Sequence, residues 1–405
     1  MVIIGIGLVG LSALGACSAE APSSVSPSTV TIQPATTERS GPGFDYRAVD
    51  YDLEPAGDAL SGDRSNPAFP PPLVDIDEIR SGGPPPDGIP AIDAPVFAPV
   101  GEISFMDGGT EAIIAVTVGE ATKGYPVRIM TWHEIVNDSI DGVPVTVTYC
   151  PLCNSALVYD RRVGERVLDF GTSGELYQSA LVMYDRQTRS LWSHFLGKGI
   201  VGHYAGAELD FLAAQTLSWD VFRAAFPEAL VLTEATGVDR PYGTNPYQGY
   251  DDETSQPFAG FVTAEMDRRL DPKTRVVGVW SESAIAITFA RLREVGAVSF
   301  TESGRPLVAF HQEGLASALD SSEVAGGADV GQTGVFVALA DDGSALTFEP
   351  SEQGFVDTET SSSWTITGLA IDGPLRGVQL EAVPHVDTFW FSWSILRPET
   401  TLLSD

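Results

Sequence analysis

The feature that most constrains the fold of this chain is a weak internal duplication. Residues 142–157 align with residues 304–319 without a gap, and five of the 16 positions are identical, where about one match is expected by chance. The matches are Gly142/Gly304, Pro144/Pro306, Ser155/Ser317, Ala156/Ala318 and Leu157/Leu319. Further matches follow in the same order: Thr188, Ser190 and Trp192 with Thr360, Ser362 and Trp364, then Trp219, Pro227, Glu228 and Leu232 with Trp390, Pro398, Glu399 and Leu403. A repeat of this kind predicts two tandem homologous halves.

The local patterns predict short strands and few helices. Apolar, β-branched or alternating runs predict strands at residues 113–118, 143–149, 157–159, 167–170 and 181–184. Helical spacing of apolar residues predicts helices only at 129–136 and 219–226. With 41 glycines and 28 prolines to form turns, we expect an α+β fold that is mainly β.

The N-terminus has the features of an exported lipoprotein. Residues 2–16 are apolar or small, and Leu14-Gly15-Ala16-Cys17 resembles the bacterial lipobox, in which the cysteine is acylated after cleavage. We therefore expect a signal peptide at 1–16, a lipidated and largely disordered tether at 17–65, and an extended proline-rich segment at 66–111. The first half then spans 112–275 and the second 276–405. This arrangement predicts a lipid anchor in the cell membrane, with the folded part on the extracytoplasmic face.

The charge of the chain argues against one class of partner. It has 23 Lys and Arg against 55 Asp and Glu, a formal net charge of −32. Nucleic-acid binding depends on basic side chains against phosphate, so we expect no nucleic-acid partner.

The clearest chemical feature is a Cys-Pro-Leu-Cys pair. Of the three cysteines, Cys17 is assigned to lipidation, which leaves Cys150 and Cys153. The aligned positions of the second half hold Gln312 and Leu315, so the half-fold does not require the pair. That difference favours a functional role over a structural one.

Three kinds of chemistry fit this pair. A redox-active dithiol would exchange with a protein thiol or disulfide, and a cation such as His133 or Arg186 would lower the pKa of its attacking thiol. A soft-metal site for copper or zinc would draw on His133 and Met183 as further ligands. A static disulfide would make the chain a non-enzymatic binding lipoprotein.

The residues that follow the cysteine pair in the sequence do not fit the thioredoxin arrangement. Pro151 should end the preceding strand, and residues 156–159 read as another strand, so the helix of a thioredoxin layout is not expected. His194, His203, His311 and His385 lie in no motif, and we expect them to be surface or structural residues.

Several motifs together resemble one bacterial family, the domain of unknown function 3179 family. They are Thr148-Tyr149-Cys150-Pro151-Leu152-Cys153-Asn154-Ser155, Asp87-Gly88-Ile89-Pro90, Trp132-His133-Glu134-Ile135-Val136-Asn137-Asp138, Met183-Tyr184-Asp185-Arg186-Gln187-Thr188 and Phe389-Trp390-Phe391-Ser392-Trp393. The resemblance covers about residues 75–402. Some relatives are described as selenoproteins, which would imply redox chemistry at the cysteine motif. Leu396-Arg397-Pro398 departs from the pattern, because an aromatic residue and often His are expected before the proline.

Overall fold

The computed structural model describes residues 44–106, 108–280 and 284–403. The expected signal peptide and Cys17 lie outside these residues. Within the described ranges, 27 strands and four α-helices confirm a mainly β fold with few helices. No helix of this part of the chain is long and apolar enough to cross a membrane.

The strands up to residue 232 comprise two that precede the repeat, β1 and β2, and those of its first copy. They are β1 (Ile79–Ser81), β2 (Phe97–Pro99), β3 (Ala112–Val118), β4 (Ala121–Pro126), β5 (Ile135–Ile140), β6 (Val143–Cys150), β7 (Ser155–Asp160), β8 (Arg162–Val163), β9 (Arg166–Val167), β10 (Phe170–Tyr177), β11 (Ala180–Asp185), β12 (Leu191–Ser193), β13 (Lys198–Val201), β14 (Asp210–Leu212), β15 (Ala214–Ser218) and β16 (Leu230–Leu232). The helices here are α1 (Val127–His133) and α2 (Trp219–Ala225).

The second copy begins at residue 275. Its strands are β17 (Arg275–Val279), β18 (Ile285–Thr288), β19 (Ala297–Glu302), β20 (Arg305–Gln312), β21 (Gln332–Val337), β22 (Phe348–Ser351), β23 (Gly354–Asp357), β24 (Ser363–Trp364), β25 (Ala370–Asp372), β26 (His385–Phe389) and β27 (Thr401–Leu403). Its helices are α3 (Phe289–Val295) and α4 (Trp390–Leu396).

Three sheets recur in the two copies with the same strand order. The order β15-β3-β4-β16 returns as β26-β17-β18-β27, with the last pair parallel in each case. The order β5-β6-β7 returns as β19-β20-β21, and β10-β11-β12-β13 returns as β22-β23-β24-β25. The helices occupy corresponding places, α1 with α3 and α2 with α4.

One matched pair of the alignment marks a hairpin turn. Gly142 and Gly304 sit in the tight turns β5–β6 and β19–β20, with φ of 77° and 79°, a left-handed conformation that favours glycine. The residue before each glycine, Asp141 or Ser303, is also left-handed, with φ of 47° and 48°. The two-residue turn requires this chemistry in both copies.

A second matched group forms the same hydrogen-bond network twice. In the first copy one oxygen of the Asp185 carboxylate accepts from Trp192 Nε1 at 2.9 Å and from Thr188 Oγ1 at 2.9 Å. In the second copy Asp357 accepts from Trp364 Nε1 at 2.8 Å and from Thr360 Oγ1 at 2.8 Å. The matched Thr, Ser and Trp residues are therefore the donors around a buried aspartate that the alignment had not included.

Part of the alignment is wrong in register. Cys150 pairs with Ser155 across β6 and β7, whereas Gln312 at the corresponding place of β20 pairs with Gln332. Residues 313–331 form a long loop, so Ser317, Ala318 and Leu319 do not correspond in space to Ser155, Ala156 and Leu157. Because the loop of the second copy is longer, the residue that corresponds to Ser155 is Gln332, at the start of β21.

The two copies share their cores. Trp192 of the first copy packs in one cluster with Trp390 and Trp393 of the second. In the reciprocal cluster, Trp364 of the second copy packs with Trp219 and Phe222 of the first. Each half therefore completes the apolar core of the other.

The segments before the first copy also lie on the body. β1 pairs with β10, β2 pairs with β16, and Ile92 bridges to Val136, as expected for an extended proline-rich segment that packs on the fold. Residues 44–65, predicted as part of the tether, contact the body too: Ala59 and Leu60 are buried in an apolar cluster. Ordered structure therefore begins earlier than expected.

Two predicted elements need correction. The first helix is Val127–His133, not 129–136, because Glu134 is left-handed and strand β5 follows at once. The predicted strand 167–170 is divided between the end of β9 and the start of β10. Helix α2 begins after the cap Ser218, whose side chain accepts from the Val221 amide, and agrees closely with its prediction.

Candidate functional site

The two cysteines lie in the turn between β6 and β7. β6 ends at Cys150, and β7 starts at Ser155, directly opposite it in the ladder. The turn contains Asn154 in a left-handed conformation, and no helix follows, so the predicted difference from a thioredoxin layout is confirmed. We call residues 150–155 the thiol turn.

The alternation of β6 directs Cys150 into a shared core. Val145, Val147 and Tyr149 point into one apolar cluster, on the common face that the sequence predicted. Cys150 points to the opposite face, into the cluster that also holds Cys153 and Trp390. The pair therefore lies where the two halves meet.

The second copy holds the thiol turn in place. The Cys153 carbonyl accepts hydrogen bonds from Thr388 Oγ1 at 2.7 Å and from the Phe389 amide at 3.1 Å, both in β26. Cys150 is 1% exposed and Cys153 0% exposed, and both are free thiols. The two sulfurs are thus close together, unbonded and covered.

The Cys150 sulfur lies among hydrogen-bond donors. Burial raises the pKa of this thiol, but hydrogen bonds from the Cys153 thiol and from the amides of Cys153, Leu181 and Leu152 outweigh it and lower the pKa below its ordinary value. Burial, with the neighbouring Cys150 sulfur, raises the pKa of Cys153 well above the ordinary value. Cys150 is therefore the sulfur that ionises first.

The Cys153 sulfur is linked to a buried histidine. Cys153 Sγ lies 2.9 Å from Ser155 Oγ, and Ser155 Oγ lies 2.8 Å from His194 Nε2. Burial lowers the pKa of His194 to about 3, so the imidazole is neutral at physiological pH. The neutral ring and the hydroxyl therefore form a hydrogen-bond chain that orients the Cys153 thiol.

The other nitrogen of this ring has no hydrogen-bond partner among the described residues. His194 Nδ1 is fully buried, and the backbone carbonyl of His194 accepts from the Tyr159 hydroxyl. An unpaired buried nitrogen costs about 1–3 kcal/mol. One unpaired polar atom of the described residues therefore belongs to the ring that adjoins Ser155 of the thiol turn.

His133 occupies a different place from the one expected. Its Nδ1 lies 2.7 Å from the Pro90 carbonyl, so this nitrogen carries the proton, and its Nε2 accepts from the Tyr242 hydroxyl at 2.6 Å. Burial lowers the pKa of His133. With both ring nitrogens engaged, His133 ties three segments of the chain together and is not directed at the sulfurs.

Of the other two predicted site residues, Met183 lies in the same apolar cluster as the cysteines and Arg186 does not. Arg186 forms ion pairs with Asp87 at 3.3 Å and Asp93 at 3.2 Å, and these carboxylates occupy its guanidinium. Met183, in β11, is fully buried in the same cluster as both cysteines. Of the predicted site residues, the structure gathers Cys150, Cys153 and Met183, and it places Arg186 and His133 in other contacts.

The side chains around the pair do not form a zinc-type ligand set. Within the described ranges, no group of three or more His, Cys, Asp or Glu side chains is placed to hold a metal ion. A tetrahedral zinc site takes four ligands, or three and a water. Two thiolates with a nearby methionine would instead suit a softer ion such as copper(I).

Sequence reasoning missed Ser155 and His194 as partners of the pair. Ser155 was part of the quoted motif, but its meaning depends on the strand pairing that sets it opposite Cys150. His194 was expected to be a surface or structural residue, and its place beside the thiol turn comes from its contacts with two residues of β7, Ser155 and Tyr159. No spacing in the sequence indicates that contact.

Comparisons with known proteins identify a family and nothing further. Residues 86–400 match the family model described as "Protein of unknown function (DUF3179)". No curated protein and no solved structure matches the chain. Because the match covers most of the sequence, the chain belongs to the DUF3179 family of proteins of unknown function.

Proposed function

We propose that Cys150 and Cys153 form a reversible dithiol–disulfide couple that exchanges with a thiol or disulfide partner. The observation that supports this best is the difference between the two sulfurs. Backbone amides around Cys150 lower the pKa of its thiol, whereas Cys153 is joined through Ser155 to His194. Exchange needs one thiolate that attacks and a second sulfur that resolves the mixed disulfide.

The oxidation proceeds in two displacements. The Cys150 thiolate attacks one sulfur of a partner disulfide, R–S–S–R, forming the Cys150–S–S–R bond and releasing RS⁻. Cys153 loses its proton and attacks the Cys150 sulfur, which forms the intramolecular disulfide and releases the second RS⁻. The displaced thiolates take up the available protons, and two electrons pass from the protein pair to the partner.

The cover over the pair sets the rate at which a partner can react. Leu152, half-buried in the thiol turn, packs against the shared core and against the cluster of Tyr250 and Phe389. Exchange therefore requires local opening of this region. The free energy of opening sets the small fraction of open molecules, and the exchange rate is lower than that of exposed thiols by this fraction. Because opening limits the rate of exchange, we expect a partner that either reacts slowly or binds first and opens the thiol turn.

The proposal also includes the place where the couple works. A lipid at Cys17 would anchor the protein to the cell membrane, with its folded part on the extracytoplasmic face, where disulfides form and persist. Mass spectrometry of the N-terminal peptide from membranes tests this separately, because an acylated Cys17 has a defined mass.

The couple is tested by its reduction potential. The full chain with Cys17→Ser leaves the pair as its only thiols, and equilibration in glutathione buffers followed by alkylation measures the oxidised fraction. We expect a potential above about −300 mV, a stable mixed disulfide in Cys153→Ala, and none in Cys150→Ala.

Two results would count against the couple. A potential below about −300 mV would mark an inert structural bridge. One equivalent of copper or zinc retained by the reduced protein, and lost in the double Ala variant, would favour soft-metal binding.

A further inference from the structure

We infer that the hydroxyl of Thr388, a residue of the second half, positions Cys153 for disulfide formation with Cys150. The inference rests on the proposed function and adds a positioning residue to it. Thr388 Oγ1 donates to the Cys153 carbonyl at 2.7 Å, although the two residues lie 235 positions apart in the chain. A strand of the second half therefore takes part in the thiol site of the first.

Two neighbouring donors of β26 hold the Cys153 carbonyl. The Phe389 amide donates to this oxygen at 3.1 Å, beside the bond from Thr388. A carbonyl oxygen has two lone pairs, so the two bonds use its full capacity and fix the orientation of its peptide group. Cys153 and Thr388 are both fully buried, which keeps these bonds out of reach of bulk water and strengthens them.

The repeat shows that the strand itself does not need this hydroxyl. Thr388 pairs with Val276 in the ladder of β26 and β17, and at the corresponding place of the first half Leu217 pairs with Ile113. Leu217 is fully buried in an apolar cluster. Burying a hydroxyl costs free energy unless it is hydrogen-bonded, and the bond to Cys153 meets this requirement for Thr388. Position 388 thus differs from its counterpart by the group that contacts the thiol turn.

The hold on Cys153 acts on the second displacement of the exchange. In that step the Cys153 thiolate forms the S–S bond with Cys150 and the partner leaves as RS⁻. Cys153 Sγ lies 3.8 Å from the Cys150 carbonyl oxygen, so the resolving residue already adjoins its target residue. Groups held next to each other react at a high effective concentration, because the entropy of bringing them together has already been lost. The Thr388 bond fixes the backbone that provides this advantage.

The first test measures the reduction potential of Thr388 variants in the full Cys17→Ser chain. Thr388→Val replaces the hydroxyl by a methyl group, and Leu217 at the corresponding position indicates that the fold accepts an apolar side chain there. In glutathione buffers we expect Thr388→Val to lower the equilibrium constant for disulfide formation by about tenfold, which raises the potential by about 30 mV. Thr388→Ser keeps the donor and should stay close to the parent, whereas Thr388→Ala should behave like Thr388→Val.

The second test measures the resolving step directly. Dithiobis(nitrobenzoate) is a disulfide whose released thiolate absorbs visible light. Attack by Cys150 releases the first thiolate, and attack by Cys153 on the mixed disulfide releases the second. We expect the second release to slow by about tenfold relative to the first in Thr388→Val and Thr388→Ala, and not in Thr388→Ser.

The control is Thr131→Val, which removes a buried bond of the same kind, from Thr131 Oγ1 to the Val127 carbonyl at 2.8 Å, and should change neither measurement. A potential and a rate ratio that are unchanged in Thr388→Val and Thr388→Ala, or that shift equally in Thr388→Ser, would overturn the inference and leave the couple intact. A parent protein that forms no disulfide with either reagent would instead refute the proposed function itself.

Discussion

The two halves build the same three sheets, but they connect one pair of strands differently. In the first half, β6 passes to β7 through four residues, 151–154. In the second, β20 passes to β21 through residues 313–331. Where the first half has Cys150, Glu134 and His194, the second has Gln312, Gly296 and Ile366. The first half therefore has ionisable side chains at three positions where the second has residues that do not ionise.

The comparison also shows how the same backbone requirement is met in two ways. At the end of β26, the Phe389 amide donates to the Cys153 carbonyl at 3.1 Å. At the end of β15, the corresponding Ser218 amide donates to the side chain of Gln332 at 3.0 Å. Buried amides must be paired. The first half supplies a backbone carbonyl of the thiol turn as the acceptor, and the second half supplies the side-chain oxygen of Gln332.

The largest expected effect concerns the shared cores. Trp192→Ala and Trp364→Ala should each lower the free energy of unfolding by about 3–5 kcal/mol, because each removes a fully buried indole. Each core contains residues of both halves, so both variants should still unfold in one transition. Urea denaturation followed by fluorescence and circular dichroism measures this. Two separate transitions would show that the halves are stable on their own.

The next effect concerns His194, whose corresponding position in the second half is Ile366. The folded pKa of His194 is about 3 against an ordinary 6.5, so its contribution to stability is complete above pH 6.5 and is lost as pH falls toward 3. The loss amounts to about 1.4 kcal/mol per pH unit. His194→Ile, which introduces the second half's residue, should remove this share of the pH dependence, leaving the shares of His133 and His311, and should add about 1 kcal/mol at pH 7.

Urea midpoints at pH 7, 6 and 5 check this prediction. If His194→Ile keeps the parent's loss of stability between pH 6.5 and 5, another group is responsible. The same variant should slow oxidation of the cysteine pair, because Ser155 loses the ring that holds its hydroxyl beside Cys153 Sγ.

The smallest effect should be equal in both halves. Gly142→Ala and Gly304→Ala introduce a side chain at positive φ, where no neighbouring atom lies within 4 Å, so only backbone strain is added. Each should lower stability by about 1 kcal/mol. Gly101→Ala, with equal space and no positive φ, is the control. A clear difference in stability between the two variants would show that the two hairpin turns contribute unequally to the stability of the fold.

Sequence reasoning worked best where a local pattern decides local structure. Valines alternate through residues 143–149, and Tyr149 and its neighbours share a buried face as expected. Pro151 ends β6, and the next strand follows directly. It failed at Ser317, where three consecutive identical residues in a loop were taken for part of the repeat, because so short an identity carries no information about strand pairing.

The sequence by itself determined the mainly β class, the two copies of one unit, and the nearness of Cys150 to Cys153, because each depends on neighbours along the chain. Only the tertiary structure decided what surrounds the sulfurs. Strand pairing sets Ser155 opposite Cys150, and the fold brings His194 from another part of the chain to Ser155. The contact with His194 joins residues far apart in the chain, and the burial that lowers the pKa of its ring exists only once the core has closed over it.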